Sequence, residues 1–364
     1  MDSIVTSPTL FTPITVRDLT ISNRVWLSPM CQYSCFDRDG VPTDWHLVHL
    51  GSHAIGGFGL IVTEAAAVTA DGRISPEDAG IWNDEQGAAW KRVVDFVHGQ
   101  GSLIGTQLAH AGRKASTYSP FAEAEGSVPE SDGGWPTVAP SAVAFEGYAT
   151  PRALTIDEIG DITTAFTDAA RRADDAGFDV VEIHAAHGYL LHEFLSPLSN
   201  TRDDAYGGDF EGRTKALLEV VDAVRAVWSK PLFVRISATD WTEGGWSGDD
   251  SVALAQILRD RGVDLVDAST GGNVLADIPV GPGYQVQFAA QVRDKAGIAT
   301  AAVGMITDPE QAETIVATGQ ADAVFLARAA LRDPAWPLRA AHDLGLTHHE
   351  APYRPQYARG AWRD

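Results

Sequence analysis

Eight short apolar runs, each followed by a segment with helical spacing, constrain this chain more than any other feature. The strand-like runs lie at 24–29, 60–64, 103–108, 179–183, 232–237, 264–269, 299–303 and 322–326. Helical patterns follow near 44–56, 84–99, 155–176, 211–228, 249–261, 284–296, 308–318 and 334–343. Apolar strands separated by helices belong to parallel sheets covered on both faces. Eight such units predict an α/β fold closed into a (β/α)8 TIM barrel. A doubly wound sheet is the competing arrangement, but no G-x-G-x-x-G follows the first strand.

Local signals set the helix ends. Thr155 and Glu158 predict a capping box, with Leu154 and Ile159 spaced as its hydrophobic staple. Asp308-Pro309 and Asp333-Pro334 each pair an N-cap acceptor with a first-turn proline. Gly177, Gly262, Gly297 and Gly319 fall where helices should stop. Leu217, Leu218, Val221, Val224 and Trp228 give the 211–228 helix one apolar face. Residues 10–23 read as a hairpin ahead of the first strand, placed to plug the barrel bottom. The longest connection, 110–154, carries EAEGSVPESDGGWP and is predicted to be a lid over the active face with a mobile tip. Length alone suggests two domains, but α/β barrels reach 364 residues as one, so 1–364 is read as a single domain.

A formal charge of −22 argues against nucleic-acid partners and against anionic membranes. Any phosphate pocket must then be built locally, from a few Arg and Lys. No run of 18 apolar residues exists to span a bilayer. The opening MDSIVTSPTL lacks the basic and apolar segments of a signal peptide. Two cysteines, Cys31 and Cys35, are too few for a disulfide scaffold, and a C-x3-C pair is too poor for an iron–sulfur cluster. A cytoplasmic location is expected.

Function in a barrel gathers at the C-terminal strand ends. In order, those ends offer Pro29, Met30, Cys31 and Tyr33; Thr63, Glu64 and Ala65; Gln107, then His110, Arg113 and Lys114; His184, His187 and Tyr189; Arg235; Ser269, Gly271 and Gly272; Gly304; and Arg328. Polar groups on so many ends predict a large polar ligand across the mouth. Gly304 and Arg328 could separately be a turn glycine and a surface charge; together on the last two strands they predict a phosphate site. Arg235 sits inside FVRIS, where a charge is costly unless paired. It is either an internal ion pair, for instance with Glu182, or a cation set against an electron-rich ring. His184 and His187 are either electrophilic donors, a structural pair, or metal ligands with His192 and Glu193 nearby. No dense His/Cys/Asp cluster at other strand ends supports the metal. Cys31 alone would be a small buried filler.

Three motifs, SPMCQYS, HAAHGYLLHEFLSPLSNTRDDAYGG and QYARG, occur in barrel order. On them, nearly the whole chain resembles the Old Yellow Enzyme family of flavin-dependent ene-reductases. It is most similar to the thermophilic-like branch of bacterial NADPH dehydrogenases. The resemblance implies non-covalent FMN, with Pro29, Met30, Cys31 and Ala65 lining the flavin ring and Gln107 at its pyrimidine edge. It implies Arg235 near the N1 and C2 oxygen region, and Gly304, Met305 and Arg328 on the phosphate. Cys31 would tune the flavin potential and Lys114 would lie close to the flavin and the substrate. His184 and His187 would grip a substrate carbonyl oxygen, with Tyr33 assisting and Tyr189 as proton donor. Arg359 would reach into a neighbouring subunit's site, implying a homodimer or homotetramer.

The implied reaction is a ping-pong hydride transfer through FMN N5. NADPH or NADH is the reductant, and an enone, enal, maleimide-type compound or nitroalkene is the acceptor. A metal-dependent barrel hydrolase using His184 and His187, or a non-catalytic flavin-binding protein, are the competing readings. Two features depart from the family pattern. Ala327 stands where the family has glycine before the phosphate arginine, and the acidic stretch 121–136 is longer than in several relatives.

Overall fold

The computed structural model describes residues 8–362, so the opening Met1–Ser7, on which the signal-peptide expectation rested, lies outside the described residues. The antiparallel strands β1 (Ile14–Val16) and β2 (Leu19–Ile21) form the expected hairpin. They are followed by β3 (Val25–Leu27), α1 (Asp44–Ile55), β4 (Leu60–Ala67), α2 (Asp84–Gly99) and β5 (Leu103–Ala109). The long connection carries the short strands β6 (Val138–Ala139) and β7 (Arg152–Ala153). Next come α3 (Ile156–Ala176), β8 (Val180–Ala185), α4 (Leu190–Leu195), α5 (Phe210–Arg225), β9 (Leu232–Ser237), α6 (Gly248–Asp260) and β10 (Leu265–Ser269). The last elements are α7 (Val286–Ala296), β11 (Ala299–Ala302), α8 (Pro309–Ala317), β12 (Ala323–Leu326), α9 (Arg328–Arg332) and α10 (Trp336–Asp343). Strands β3, β4, β5, β8, β9, β10, β11 and β12 close in that order into a parallel barrel, the expected TIM fold.

Side chains alternate across each strand, so one set faces the barrel axis and the other the helices. Trp26, Leu60, Val62, Val180, Phe233 and Leu265 fill the lower interior, and Val16 and Ile21 of the hairpin pack onto them from below. Trp26 stacks on Phe233 at 6.0 Å and meets Phe325 edge-on at 5.5 Å. Two residues further along the same face the chemistry changes: Glu182 follows Val180, Arg235 follows Phe233 and Asp267 follows Leu265. Two residues further still, His184, Ser237 and Ser269 reach the mouth.

The capping box at Thr155–Glu158 forms, and Leu154 and Ile159 are buried together. Asp308 caps α8 through the N–H groups of Glu310 and Gln311. Gly177 and Gly297 end α3 and α7 in the left-handed region, at φ 90° and 66°.

Three expectations need correction, and one helix was missed. Strand β4 runs on to Ala67, with its register shifted between Val62 and Ala65, so Thr63 and Glu64 lie within the strand and do not end it. Asp333 does not cap a helix starting at 334. The RAALR segment forms α9, Asp333 follows its last turn, and α10 begins at Trp336. Helix α5 stops at Arg225, and Trp228 instead turns its indole N–H to the Pro231 carbonyl. Helix α4 was not foreseen, because LLHEFL is buried on every side and shows no amphipathic period.

Candidate active site at the barrel mouth

The end of β8 gathers His184, His187 and Tyr189. His184 is buried with its Nδ1 unpartnered, and its ring meets those of His187 and Tyr189 edge-on, each at 5.2 Å. The chain leaves the strand through two consecutive left-handed residues, His187 at φ 60° and Gly188 at φ 72°. A Cβ on Gly188 would lie 2.2 Å from the Gly272 carbonyl oxygen, so only glycine fits there. A left-handed histidine costs roughly 1–3 kcal/mol and persists where its surroundings fix it. Here the His187 N–H donates to Ser237 Oγ at 2.8 Å, and the Ser237 hydroxyl donates to the Gly271 carbonyl at 2.7 Å. Lys114 Nζ donates to the His187 carbonyl at 2.8 Å and to the Gly272 carbonyl at 3.0 Å.

Burial, and then the nearby Arg235 charge, hold both imidazoles well below their usual range, so they are neutral at physiological pH. Burial likewise pushes the Tyr189 phenol well above 10.0, so it keeps its proton. Lys114 is lowered to about 8, chiefly by burial. Its ammonium stands 5.1 Å over the Tyr189 ring and 4.7 Å over Phe145.

Beneath these groups lies a buried polar layer. Arg235 Nε stands 3.1 Å from Asp267 Oδ2, and Nη1 donates to Ser28 Oγ at 3.2 Å. The ion-pair partner is therefore Asp267 and not Glu182. Register explains it: Asp267 lies directly opposite Arg235 across β9 and β10, whereas Glu182 lies opposite Phe233. Glu182 instead accepts from Gln107 Nε2 at 2.7 Å. Burial raises Glu182 to about 8 and Asp267 to about 6, in both cases against the pull of Arg235.

The loop after β3 supplies the opposite wall. Pro29, Met30 and Cys31 are half-buried, and Tyr33 sits in the left-handed region at φ 52°. Glu64 fastens this loop from within β4: one oxygen accepts the Gln32 N–H at 2.9 Å, and the other lies 3.0 Å from His46 Nε2. Burial, then Asp78 and Glu64, push the Cys31 thiol up. Ala65 lies opposite Gln107 across β4 and β5.

Two cavities adjoin this group, one at His187 and one at Tyr189. One, of about 340 Å³, runs from His187 and Ser269 to the Gly304–Thr307 backbone, Arg328 and Arg332. Gly304 has φ 118°, and a Cβ there would lie 2.7 Å from Gln285 Nε2, so glycine keeps this cradle open. Among the described residues, no carboxylate stands within ion-pair distance of Arg328 or Arg332. Exposed backbone at the ends of the last two barrel strands, with two guanidinium groups, fits a phosphomonoester, and the neighbouring mouth fits a planar polar ring. Ala327, at φ −109°, lies outside the left-handed region that favours glycine. The second cavity, of about 670 Å³, has Tyr33, Lys114 and Tyr189 at its base and Tyr118, Pro120 and Tyr148 of the long connection around it.

The structure thus brings His184, His187 and Tyr189 together, sets Tyr33 and Lys114 beside the second cavity, and sets Gly304, Met305 and Arg328 around the first. Arg359 lies on the exposed turn Pro355–Gly360 and lines neither cavity. Sequence reasoning missed Asp267, Gln285, Arg332 and Tyr148. The alternation in LVDAS could have placed Asp267 inward; the others carry no local signal. Among the described residues, no three His, Cys, Asp or Glu side chains form a group able to hold a metal ion.

Residues 9–347 match the NADH:flavin oxidoreductase / NADH oxidase family. The chain is 49% identical over 352 residues to the NADPH dehydrogenase of Bacillus subtilis (strain 168), covering 96% of this chain and 98% of that one. It is 50% identical over 355 residues to the NADPH dehydrogenase of Geobacillus thermodenitrificans (strain NG80-2), covering 97% and 98%. Among solved structures, the old yellow enzyme homologue from Zymomonas mobilis superposes with a TM-score of 0.78 at 30% identity, covering 96% of this chain and 98% of that one. Morphinone reductase superposes with a TM-score of 0.78 at 31% identity, covering 94% and 92%. With its mouth histidines, the cavity between Gly304 and Arg328 and this extent of likeness, the chain belongs to the NADH:flavin oxidoreductase / NADH oxidase family, within the Old Yellow Enzyme group.

Proposed function

We propose that the mouth is the active site of an FMN-dependent NAD(P)H oxidoreductase that reduces the activated C=C bond of α,β-unsaturated carbonyl compounds. When bound, FMN supplies a two-electron carrier between a reduced nicotinamide and an electron-poor alkene. The chain supplies polarisation, a proton and placement. Neutral His184 and His187 donate hydrogen bonds to the substrate carbonyl oxygen and stabilise the negative charge that develops there, with Tyr33 alongside. Ser269 Oγ lies 2.7 Å from His187 Nε2; by donating to it, Ser269 leaves the ring proton on Nδ1 for the substrate. Tyr189, kept protonated by burial, delivers the proton to the α-carbon. Gly304, Met305 and Arg328 hold the phosphate, Gln107 and Arg235 meet the polar edge of the ring, and Pro29, Met30, Cys31 and Ala65 line it. Asp267 offsets the Arg235 charge, so Arg235 acts on the ring as half of an ion pair.

The observation that carries this reading is the convergence of two imidazoles and a phenol, with His184 meeting each of the other two rings at 5.2 Å. A sensing protein needs none of these groups. A metal-dependent hydrolase needs at least a third ligand beside the two rings, and none of the described side chains provides a cluster. The test is an absorption spectrum of the purified protein, then anaerobic NADPH followed by cyclohexenone. A yellow band that bleaches and returns is expected; a colourless or unbleachable protein overturns the reading.

We infer a cytoplasmic homo-oligomer. Both cysteines are free, and no helix of the described residues is long and apolar enough to cross a membrane. Arg359, exposed and lining neither mouth cavity of its own chain, supports the reading that it serves a neighbour's site.

A further inference from the structure

The reading above needs His187 and Tyr189 held in place on a turn whose central residues, His187 and Gly188, are both left-handed. Ser237 holds the His187 N–H and Lys114 holds its carbonyl. A further hold comes from a buried pair that lines neither cavity. His192, fully buried as the third residue of α4, accepts the Gly188 N–H at Nδ1 over 2.9 Å. Because Nδ1 accepts, the neutral ring carries its proton on Nε2. Nε2 stands 3.0 Å from Asp240 Oδ1, with the N–H aimed off the line to the oxygen. Asp240 is also fully buried, and its other oxygen accepts the Ser196 hydroxyl at 2.5 Å and the Trp246 N–H at 2.8 Å.

The arrangement recurs once at the same mouth. His46, the third residue of α1, accepts the Thr43 N–H at Nδ1 over 2.8 Å and stands 3.0 Å from Glu64, which fastens the Cys31–Tyr33 loop. A backbone N–H, a histidine and a buried carboxylate thus stand in series behind each of two loops that carry site residues.

We propose that His192 and Asp240 are positioning residues for the oxygen-gripping turn: Asp240 fixes the His192 tautomer, and that tautomer alone accepts the Gly188 N–H and so holds His187 and Tyr189 at the mouth. The proposal rests on the role given above to His187 and Tyr189. Asp240→Asn tests it at almost constant volume. The Ser196 and Trp246 donors retain the amide oxygen, which turns the amide NH2 toward Nε2. The ring proton then moves to Nδ1 and confronts the Gly188 N–H, donor against donor.

The expected outcome in the holoenzyme has three parts. Phenol, a mimic of the developing enolate, binds about 10- to 100-fold more weakly, the scale on which outer partners act through the groups they orient. Alkene reduction slows by a similar factor while reduction of the flavin by NADPH is unchanged. A nitrogen-15 spectrum of histidine-labelled protein records the His192 proton moving from Nε2 to Nδ1. His192→Asn, which sets an amide oxygen near the Nδ1 position, should retain phenol affinity, and His192→Phe should lose it. That pair decides the matter should Asp240→Asn fail to fold. A switched tautomer with unchanged phenol affinity overturns the proposal, as does an unswitched tautomer, or equal phenol binding by His192→Asn and His192→Phe. Failure of the unaltered protein to bind phenol would instead break the oxygen-grip reading on which the proposal rests.

Discussion

The floor and the mouth of the barrel are built from the same strands and obey opposite rules. Val180, Phe233 and Leu265 are fully buried among apolar neighbours. Four residues on, about 13 Å along each strand, stand His184, Ser237 and Ser269. The layers between and at the mouth hold buried polar atoms without hydrogen-bond partners: Glu182 Oε2, His184 Nδ1 and Asp267 Oδ1. Each such atom costs roughly 1–3 kcal/mol, which the tightly packed floor offsets. Stability and chemistry are therefore separated along each strand, not between strands.

Four substitutions can break or sharpen that separation. Tyr189→Phe should cost the alkene half-reaction about 10²–10⁴-fold, the range for one positioned proton donor, and leave flavin reduction by NADPH fast; stopped-flow measurement of the two half-reactions separates these outcomes. Phe233→Ala should cost about 3–5 kcal/mol of stability through the cavity it leaves, seen as a lower urea midpoint, while kcat per bound flavin is kept. A loss of kcat in fully folded Phe233→Ala protein would show floor and mouth to be coupled. Arg328→Met removes a charge-assisted phosphate contact worth roughly 1.5–3 kcal/mol, and should raise the FMN dissociation constant measured by fluorescence on dilution. Unchanged retention would move the phosphate elsewhere.

The smallest effect concerns pH. Burial raises Glu182 and Glu193 from 4.5 to about 8. Between those values the folded chain binds more protons than the unfolded one, so stability falls as pH rises. The contribution is complete below pH 4.5 and lost through pH 8. Glu182→Gln, which mimics the protonated acid, should flatten part of that decline in denaturation series from pH 5 upward. An unaltered slope would show that Glu182 is ionised in the fold.

The floor was legible because eight apolar runs carry their own signal, and the hairpin because it precedes the first of them. His184, His187 and Tyr189 were legible because they follow one strand end within six residues. What stayed hidden depends on contacts between distant segments. Arg235 and Asp267 are paired by the register of β9 against β10, which no single strand encodes. Lys114 meets carbonyls 73 and 158 residues away. The β4 bulge moved Glu64 from a strand end to a fastening for a loop, and nothing in VTEAAA announces it. Helix α4 was masked by burial on all its faces, although His192 within it supports the turn that the motif made visible.

The β1–β2 hairpin has a further consequence. Val16 and Ile21 seal the lower end of the ring, and both cavities lie at the other end. Nicotinamide and alkene must use a shared doorway by turns, so a surplus of the alkene obstructs the donor that recharges the enzyme. Throughput is then governed by the ratio of the two visitors as much as by the abundance of either.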